Sequence, residues 1–433
     1  MTMADNCTGA LAELRVEGQE DDARLAERHR PLLMLDAAEP FRPLAAGFAI
    51  YRQEAPSLSS KFRIRPVAGC VIEYAIWYDW DIQHLYDLEH VWVHVDAAGD
   101  VVKVEASRHG SRRAMIRPDG TLPVRSGRPV LYLEPGKHAH WADGGEMQAK
   151  AGTLIAAMCG AFAGDQGIHL SNRFSDAGRI GATLLDQRLA RLKLKRMAFA
   201  PRFDFTRTSD EEGGMVLVPW SRLDSWIPRR VASLVRDLPR EVPHLAAVFL
   251  DCGDTLANEA TEEKIPGTEI VTRAEMIPGA TETVHRLAAS GYRLALVADG
   301  PRQTFENILG AHGLWECFEA HVISGDVGEL KPSAKMFAAA AEALSLSEED
   351  RARTVMVGNN LERDILGANR FGLISIFLSW SKRRSHKPRL RRERPRLSIA
   401  HIWQLPELLE RIELSLPLPN APATEVGRRK DMP

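Results

Sequence analysis

The chain has 433 residues, 45% hydrophobic and 26% charged, with a formal net charge of -2. That is the make-up of an ordinary soluble globular protein of two or three domains, and it supplies no global attraction to nucleic acid or an anionic membrane. The five cysteines (Cys7, Cys70, Cys159, Cys252, Cys317) are odd in number and far apart, which argues against a disulfide framework or a zinc ribbon.

Early charges from Asp5 to Asp22 interrupt any apolar core of a secretory signal. The longest weakly polar run, Gly152 to Gly164, is shorter than the roughly 20 residues of a membrane helix. A cytoplasmic protein without a membrane partner is expected.

In chain order, residues 1–40 are charged and Ala/Leu-rich, predicting a helical or flexible segment. Residues 41–200 carry short β-type runs between Gly and Pro: Val71 to Trp77, Glu89 to Val95, Val101 to Ala106 and Val130 to Leu133. They predict a β-rich, antiparallel α+β domain. Residues 201–243 read as a connector with a helix or two over Trp220 to Leu238, and 420–433 as a flexible tail. Between them, residues 244–419 alternate strand and helix: strands near Ala247, Arg293, His321, Thr354 and Ile374, helices near Ala280, Arg302, Ala334 and Glu362. Such alternation predicts an α/β, doubly wound parallel sheet.

The first strand of that series delivers Asp251 into the turn Cys252-Gly253-Asp254-Thr255. A carboxylate at the carboxyl edge of a parallel sheet faces the crevice where such folds bind ligands. Asp299 and Gly300 end the second strand, Lys331-Pro332 opens the third helix, and Asn359, Asn360 and Asp364 follow the fourth strand. Displacement at phosphorus needs a nucleophile, a metal to neutralise charge, a lysine on both carboxylate and phosphate, and a second acid for the metal. Each role has a candidate.

From Leu245 to Glu413 the order of motifs resembles the haloacid dehalogenase superfamily, whose Asp-x-Asp-x-Thr, Lys-Pro and Val-Gly-x-x-x-x-x-Asp elements match Asp251 to Thr255, Lys331-Pro332 and Val357 to Asp364. The resemblance implies an HAD-like Rossmannoid fold with a minimal cap. It also implies Asp251, Thr255 and Lys331 as catalytic groups, and Mg²⁺ held by Asp251, Gly253, Asn359 and Asp364. Asp299 and Gly300 stand where phosphate binds. Two positions depart from the pattern. Gly253 replaces the acid–base aspartate, with Asp254 next door as a substitute through water, and Ala298 replaces a hydroxyl donor. The expected activity is a Mg²⁺-dependent phosphatase working through an aspartyl-phosphate on a small-molecule or macromolecular phosphate ester. The alternative is a weak or inactive domain that binds phosphorylated ligands and is fused to a metal- or partner-binding module.

In the first domain, Tyr78 to His90 concentrates ligand-type side chains. Asp87 and Glu89 share one strand face by the period of two, His84 lies just upstream, and Ser107-Arg108-His109-Gly110 ends a neighbouring run. Oxygens with one or two imidazoles suit Mn²⁺, Mg²⁺ or Ca²⁺. The spacing is similar to that of necrosis-inducing (NPP1-like) and Vps62-like proteins, as is Pro135-Gly136-Lys137-His138-Ala139. That resemblance implies a second divalent ion on His84, Asp87 and Glu89, with Asp79 or Asp81 and His109. The other reading is a polar strand end whose acids and histidines bond one another. The basic run Lys382 to Arg396 lacks aromatics, which argues against nucleic acid and for a solvated loop, with attraction of phosphate-rich substrates second. Trp77, Tyr78 and Trp80 are expected to pack in the core.

Overall fold

The computed structural model describes residues 11–14, 21–170, 172–211 and 214–418, so the expected tail and Cys7 lie outside the described residues. The chain divides into two compact units, one running to Leu238 and the other from Pro239, with Thr183–Leu185 assigned to the second. No helix among the described residues is long and apolar enough to cross a membrane.

The first unit holds α1 (Asp21–Arg28) and the strands β1 (Leu32–Leu35), β2 (Ala45–Tyr51), β3 (Cys70–Trp80), β4 (His84–Val95), β5 (Val101–Arg108), β6 (Ser111–Ala114), β7 (Arg128–Leu133) and β8 (His140–Trp141). It continues with α2 (Gly144–Cys159), β9 (Gly167–Ile168), β10 (Arg207–Thr208), β11 (Val216–Pro219) and α3 (Trp220–Glu241). One sheet has the order β11-β2-β3-β4-β5-β6 with β9 added to β4; the other runs β8-β7-β1-β10, with one further short strand on β7.

The expected β-rich texture is present, but the sheets are mixed. β1 pairs with β7, β2 with β11 and β4 with β9, all in parallel. Parallel pairing joins runs far apart in sequence, which short-range turn signals do not report. For the same reason residues 201–243 are more than a connector, since β10 and β11 complete the two sheets and Trp220 to Glu241 is a single helix. The segment 1–40 likewise contributes a strand, β1, besides α1. Trp77, Tyr78 and Trp80 are buried as expected.

The second unit is built on six parallel strands: β12 (Ala247–Leu250), β13 (Leu294–Ala298), β14 (Ala320–Ile323), β15 (Thr354–Gly358), β16 (Ile374–Leu378) and β17 (Leu397–Ile399). Their order is β14-β13-β12-β15-β16-β17, a doubly wound sheet whose direction of winding reverses between β12 and β15. Alternate residues face opposite layers. Val248, Leu250, Leu294, Leu296, Val355 and Val357 pack under α4 (Ala280–Ala289), α5 (Arg302–Ala311) and α8 (Leu405–Ser415). Ala247, Phe249, Ala295, Val297 and Met356 pack under α6 (Ala334–Ala343) and α7 (Leu366–Phe371). Strands buried on both faces are expected to be largely apolar, and the central β12 and β13 are so throughout, whereas the other four carry His321, Thr354, Ser375 and Ser398. No large insertion follows β12. A small hairpin, Glu263–Lys264 against Val271–Arg273, is added there.

Candidate active site

Asp251 follows β12 at the reversal point, where its backbone N–H donates to the Val357 carbonyl of β15 at 3.0 Å. Thr255 is fully buried and its hydroxyl donates to Asp251 Oδ2 at 3.2 Å. Lys331 places Nζ 2.7 Å from Asp251 Oδ1, 2.7 Å from Asp364 Oδ1 and 2.8 Å from the Val297 carbonyl. Burial alone would lower the lysine's pKa, but Asp251, Asp364 and Asp299 together raise it, so it stays an ammonium. Asp364 responds oppositely: burial and the neighbouring Asp251 charge push it up to about 7 against the pull of Lys331.

A π-helical turn, Leu361–Ile365, precedes α7 and carries Asp364. Such turns are frequent at functional sites. Asn360 caps it by accepting from the N–H groups of Glu362 and Arg363 at 3.0 and 3.2 Å, and its own N–H donates to Asp364 Oδ2 at 3.0 Å. Residue 358 is glycine because a Cβ there would overlap the Asp364 carboxylate.

Asn359 is 3% exposed, neither polar atom of its side chain has a hydrogen-bond partner, and it lines the same cavity of about 800 Å³ as Asp251 and Asp364. Two carboxylates and an amide oxygen are hard donors of the kind Mg²⁺ takes, so these three residues fit that ion. Gly253 sits beside them in a backbone bridge with Ala257.

Three residues expected at the site have partners of their own. Asp254, expected as a substitute acid–base, is 0% exposed and adopts a left-handed φ of 49°. It accepts from Glu259 N at 3.0 Å and from Ser381 Oγ and Arg383 Nε at 2.8 Å each, so its carboxylate is fully engaged away from the cavity. Gly300, expected to bind phosphate, has its N–H committed to Ser324 Oγ at 2.9 Å. Asp299, the other phosphate candidate, accepts from Lys331 N at 3.0 Å and Arg363 Nη1 at 3.2 Å and so orients the lysine segment.

The basic run is not wholly solvated either. Arg383 reaches Asp254, and Arg384 Nη2 lies 2.7 Å from Glu259 Oε1 while lining the cavity.

In the first unit the turn between β3 and β4 brings Asp81, His84 and Asp87 together along a separate cavity of about 930 Å³. His138, which the sequence placed only in a motif, joins them from the loop between β7 and β8. That loop is docked by Ile82 N donating to the Gly136 carbonyl at 2.8 Å. Potential ligand atoms of Asp81, Asp87 and His138 lie within 4.8 Å of one another. His138 is fully buried, with Nδ1 3.5 Å from Asp87 Oδ2, Nε2 3.8 Å from Glu39 Oε1, and no hydrogen bond to either nitrogen. Burial would lower its pKa, but the carboxylates of Asp87 and Glu39 raise it to about 9. Lys137 Nζ sits 2.6 Å from Asp81 Oδ2. His84 Nε2 is 3.8 Å from Asp81 Oδ1. Glu89, in contact with Ser107 Oγ, is pushed well up by burial and by Asp87.

Two expected ligands stand apart from this group. Asp79 is taken by a two-pronged ion pair with Arg230 and by Trp77 Nε1 at 2.9 Å. His109 Nε2 is 2.9 Å from Glu134 Oε2, which raises the imidazole's pKa.

The second unit therefore belongs to the class of doubly wound domains with an acid–lysine–acid site at the carboxyl edge of the sheet. The description "haloacid dehalogenase-like hydrolase" matches residues 236–372, and this region is a domain of that family. It is 33% identical over 138 residues to glyceraldehyde 3-phosphate phosphatase of Pyrococcus furiosus, covering 32% of this chain and 54% of that protein. To pyrophosphatase PpaX of Bacillus mycoides it is 34% identical over 100 residues, 23% of this chain and 45% of the relative. An HAD phosphatase structure from Thermococcus onnurineus aligns at 25% identity with a TM-score of 0.28, over 31% of this chain and 59% of that one. The chain thus spans about half the length of the curated relatives it matches.

Proposed function

We propose that the second unit is a Mg²⁺-dependent phosphatase that works through an aspartyl-phosphate at Asp251. The observation that carries this reading is the Lys331 ammonium held 2.7 Å from both Asp251 and Asp364 at the reversal point of the sheet. That cation neutralises the nucleophile's surroundings, and with its three N–H groups engaged by Asp251, Asp364 and the Val297 carbonyl it acts on an approaching phosphoryl group through its charge. Thr255 fixes the rotamer of Asp251 through Oδ2, leaving the carboxylate aimed at the cavity. Asp251, Asn359 and Asp364 would hold Mg²⁺, which supplies charge neutralisation on the transferring group. The similarity to a glyceraldehyde 3-phosphate phosphatase and a pyrophosphatase supports a phosphate ester or anhydride as substrate. Turnover of an aryl phosphate with Mg²⁺ tests the reading: Asp251→Asn should abolish it, and equal rates in both proteins would leave the alternative of a non-catalytic ligand-binding domain.

A divalent cation in the first unit is a second reading, favoured by one observation. His138 is a fully buried imidazole between two carboxylates with neither nitrogen hydrogen-bonded. The proposed ligands are Asp81, Asp87 and His138 with His84 beside them. This set shares Asp81, His84 and Asp87 with the one that the NPP1-like resemblance implies, and has His138 in place of Glu89, Asp79 and His109.

A further inference from the structure

Residue 253 has no side chain, and the space it would use is filled. A Cβ built on Gly253 would overlap Glu259 Oε1 and come within 3.0 Å of Cδ and 3.2 Å of Cγ. Gly253 has no left-handed backbone that would demand glycine, and the group a side chain there would have to displace is the Glu259 carboxylate. Glu259 is held in that place from three sides. Its N–H donates to Asp254 Oδ1 at 3.0 Å, and its carboxylate lies 2.7 Å from Arg384 Nη2 and 3.7 Å from Arg383 Nε. Asp254 in turn fixes Arg383 and Ser381, so one buried acid orients both the glutamate and the basic strap that grips it. Glu259 lines the cavity with Asp251 and Lys331.

We infer that Glu259 is the acid–base catalyst of this site, its carboxyl group occupying the position vacated at residue 253. The inference rests on the phosphatase reading above. Asp251 Oδ attacks phosphorus, the bond from phosphorus to the leaving oxygen breaks with its electron pair on that oxygen, and the Glu259 carboxyl group gives that oxygen its proton. In the second half the Glu259 carboxylate takes a proton from water as the water oxygen attacks phosphorus. The bond to Asp251 then breaks, releasing inorganic phosphate and restoring both carboxyl groups. Arg384 and Asp254 are positioning residues for Glu259.

The test uses the full chain with Mg²⁺ and compares kcat/KM for phenyl phosphate, whose leaving group gains from a proton, with 4-nitrophenyl phosphate, whose leaving group departs without one. Glu259→Gln should lower the phenyl phosphate value by about 100-fold or more and the 4-nitrophenyl value by under about tenfold, the range a positioned acid supplies. The pair Gly253→Asp with Glu259→Ala should recover phenyl phosphate turnover, by placing a carboxylate on residue 253 in the space cleared. Equal losses on both substrates, or none, or no recovery in a folded double variant, overturn the assignment while Asp251-dependent turnover persists. No Asp251-dependent turnover in the wild type overturns the phosphatase reading, and this inference with it.

Discussion

Lys331 and Asp364 form a buried ion pair at 2.7 Å, with the lysine 3% and the aspartate 1% exposed. Asp251 shares the same ammonium, so removing it leaves two carboxylates in one low-dielectric site. Lys331→Ala should cost about 3–5 kcal/mol in the unfolding transition of the second unit in metal-free buffer. Added Mg²⁺ should restore part of that loss, since a divalent cation offsets the charge the lysine leaves behind. An unchanged urea midpoint would show that the two acids are not both ionised there.

Asp254 combines an unfavourable backbone with a favourable side chain, so the two are separable by substitution. Its φ of 49° is costly for any residue with a Cβ, whereas its carboxylate collects three donors in a fully buried position. Asp254→Ala loses the donors and keeps the strain; Asp254→Gly loses the donors and relieves it. The glycine variant should therefore be the more stable of the two by about 1 kcal/mol. Both should free the strap from Ser381 to Arg384, read as faster trypsin cleavage after Arg383 or Arg384. Protection equal to the wild type would mean that the strap is held by other contacts.

The sheet of the second unit was legible because its central parallel strands read as short apolar runs, with Asp251, Asp299 and Asn359 directly after β12, β13 and β15. Asp251 could be placed for that reason, whereas Lys331 and Asp364 lie beyond their strands and were reached through the Lys-Pro and Val-Gly-x-x-x-x-x-Asp elements. Asp254 and Glu259 could not be assigned from spacing alone. The carboxylate of Asp254 turns away because its own backbone is left-handed, and Glu259 enters through a contact that local sequence does not encode. Read in isolation, Gly253 signals a missing acid; in the fold it marks the space another acid fills. The first unit was less legible. Asp81, His84 and Asp87 lie on one hairpin and share a local pattern, whereas His138 arrives on a distant loop docked by the Gly136 carbonyl. Asp79 satisfies the same local pattern yet is drawn to Arg230, which lies on α3.

Glu105 on β5 offers a measurable acid limb. It is 8% exposed and lies 3.0 Å from His94 Nε2, 3.1 Å from Lys103 Nζ and 3.4 Å from Arg112 Nε. Burial would raise its pKa, but hydrogen bonds from His94 and Lys103 bring it down to about 2. A carboxylate lowered in the folded state contributes stability that is present above its unfolded pKa and lost as pH falls through the folded one. Glu105→Gln should therefore be less stable than wild type by about 2 kcal/mol at neutral pH. The deficit should close between about pH 4.5 and 2. A deficit that stays constant down to the acid end would assign it to packing.

Metal content separates the ligands of the first unit from their neighbours. His138→Ala removes a buried imidazole that stacks on Tyr78 at 3.8 Å and faces the carboxylates of Asp87 and Glu39, so its structural cost combines lost packing with lost charge attraction. If Asp81, Asp87 and His138 hold a divalent ion, that variant and Asp87→Asn should both lose the ion from protein purified with Mn²⁺, by at least about tenfold in affinity, as the loss of a direct ligand does. Asp79→Asn should behave in the opposite way. It weakens the buried pair with Arg230 and lowers the free energy of unfolding by up to about 3–5 kcal/mol, with metal stoichiometry unchanged in the folded fraction. Equal metal content in wild type, His138→Ala and Asp87→Asn would make this cluster a hydrogen-bonded polar strand end, with Lys137 as the cation of Asp81.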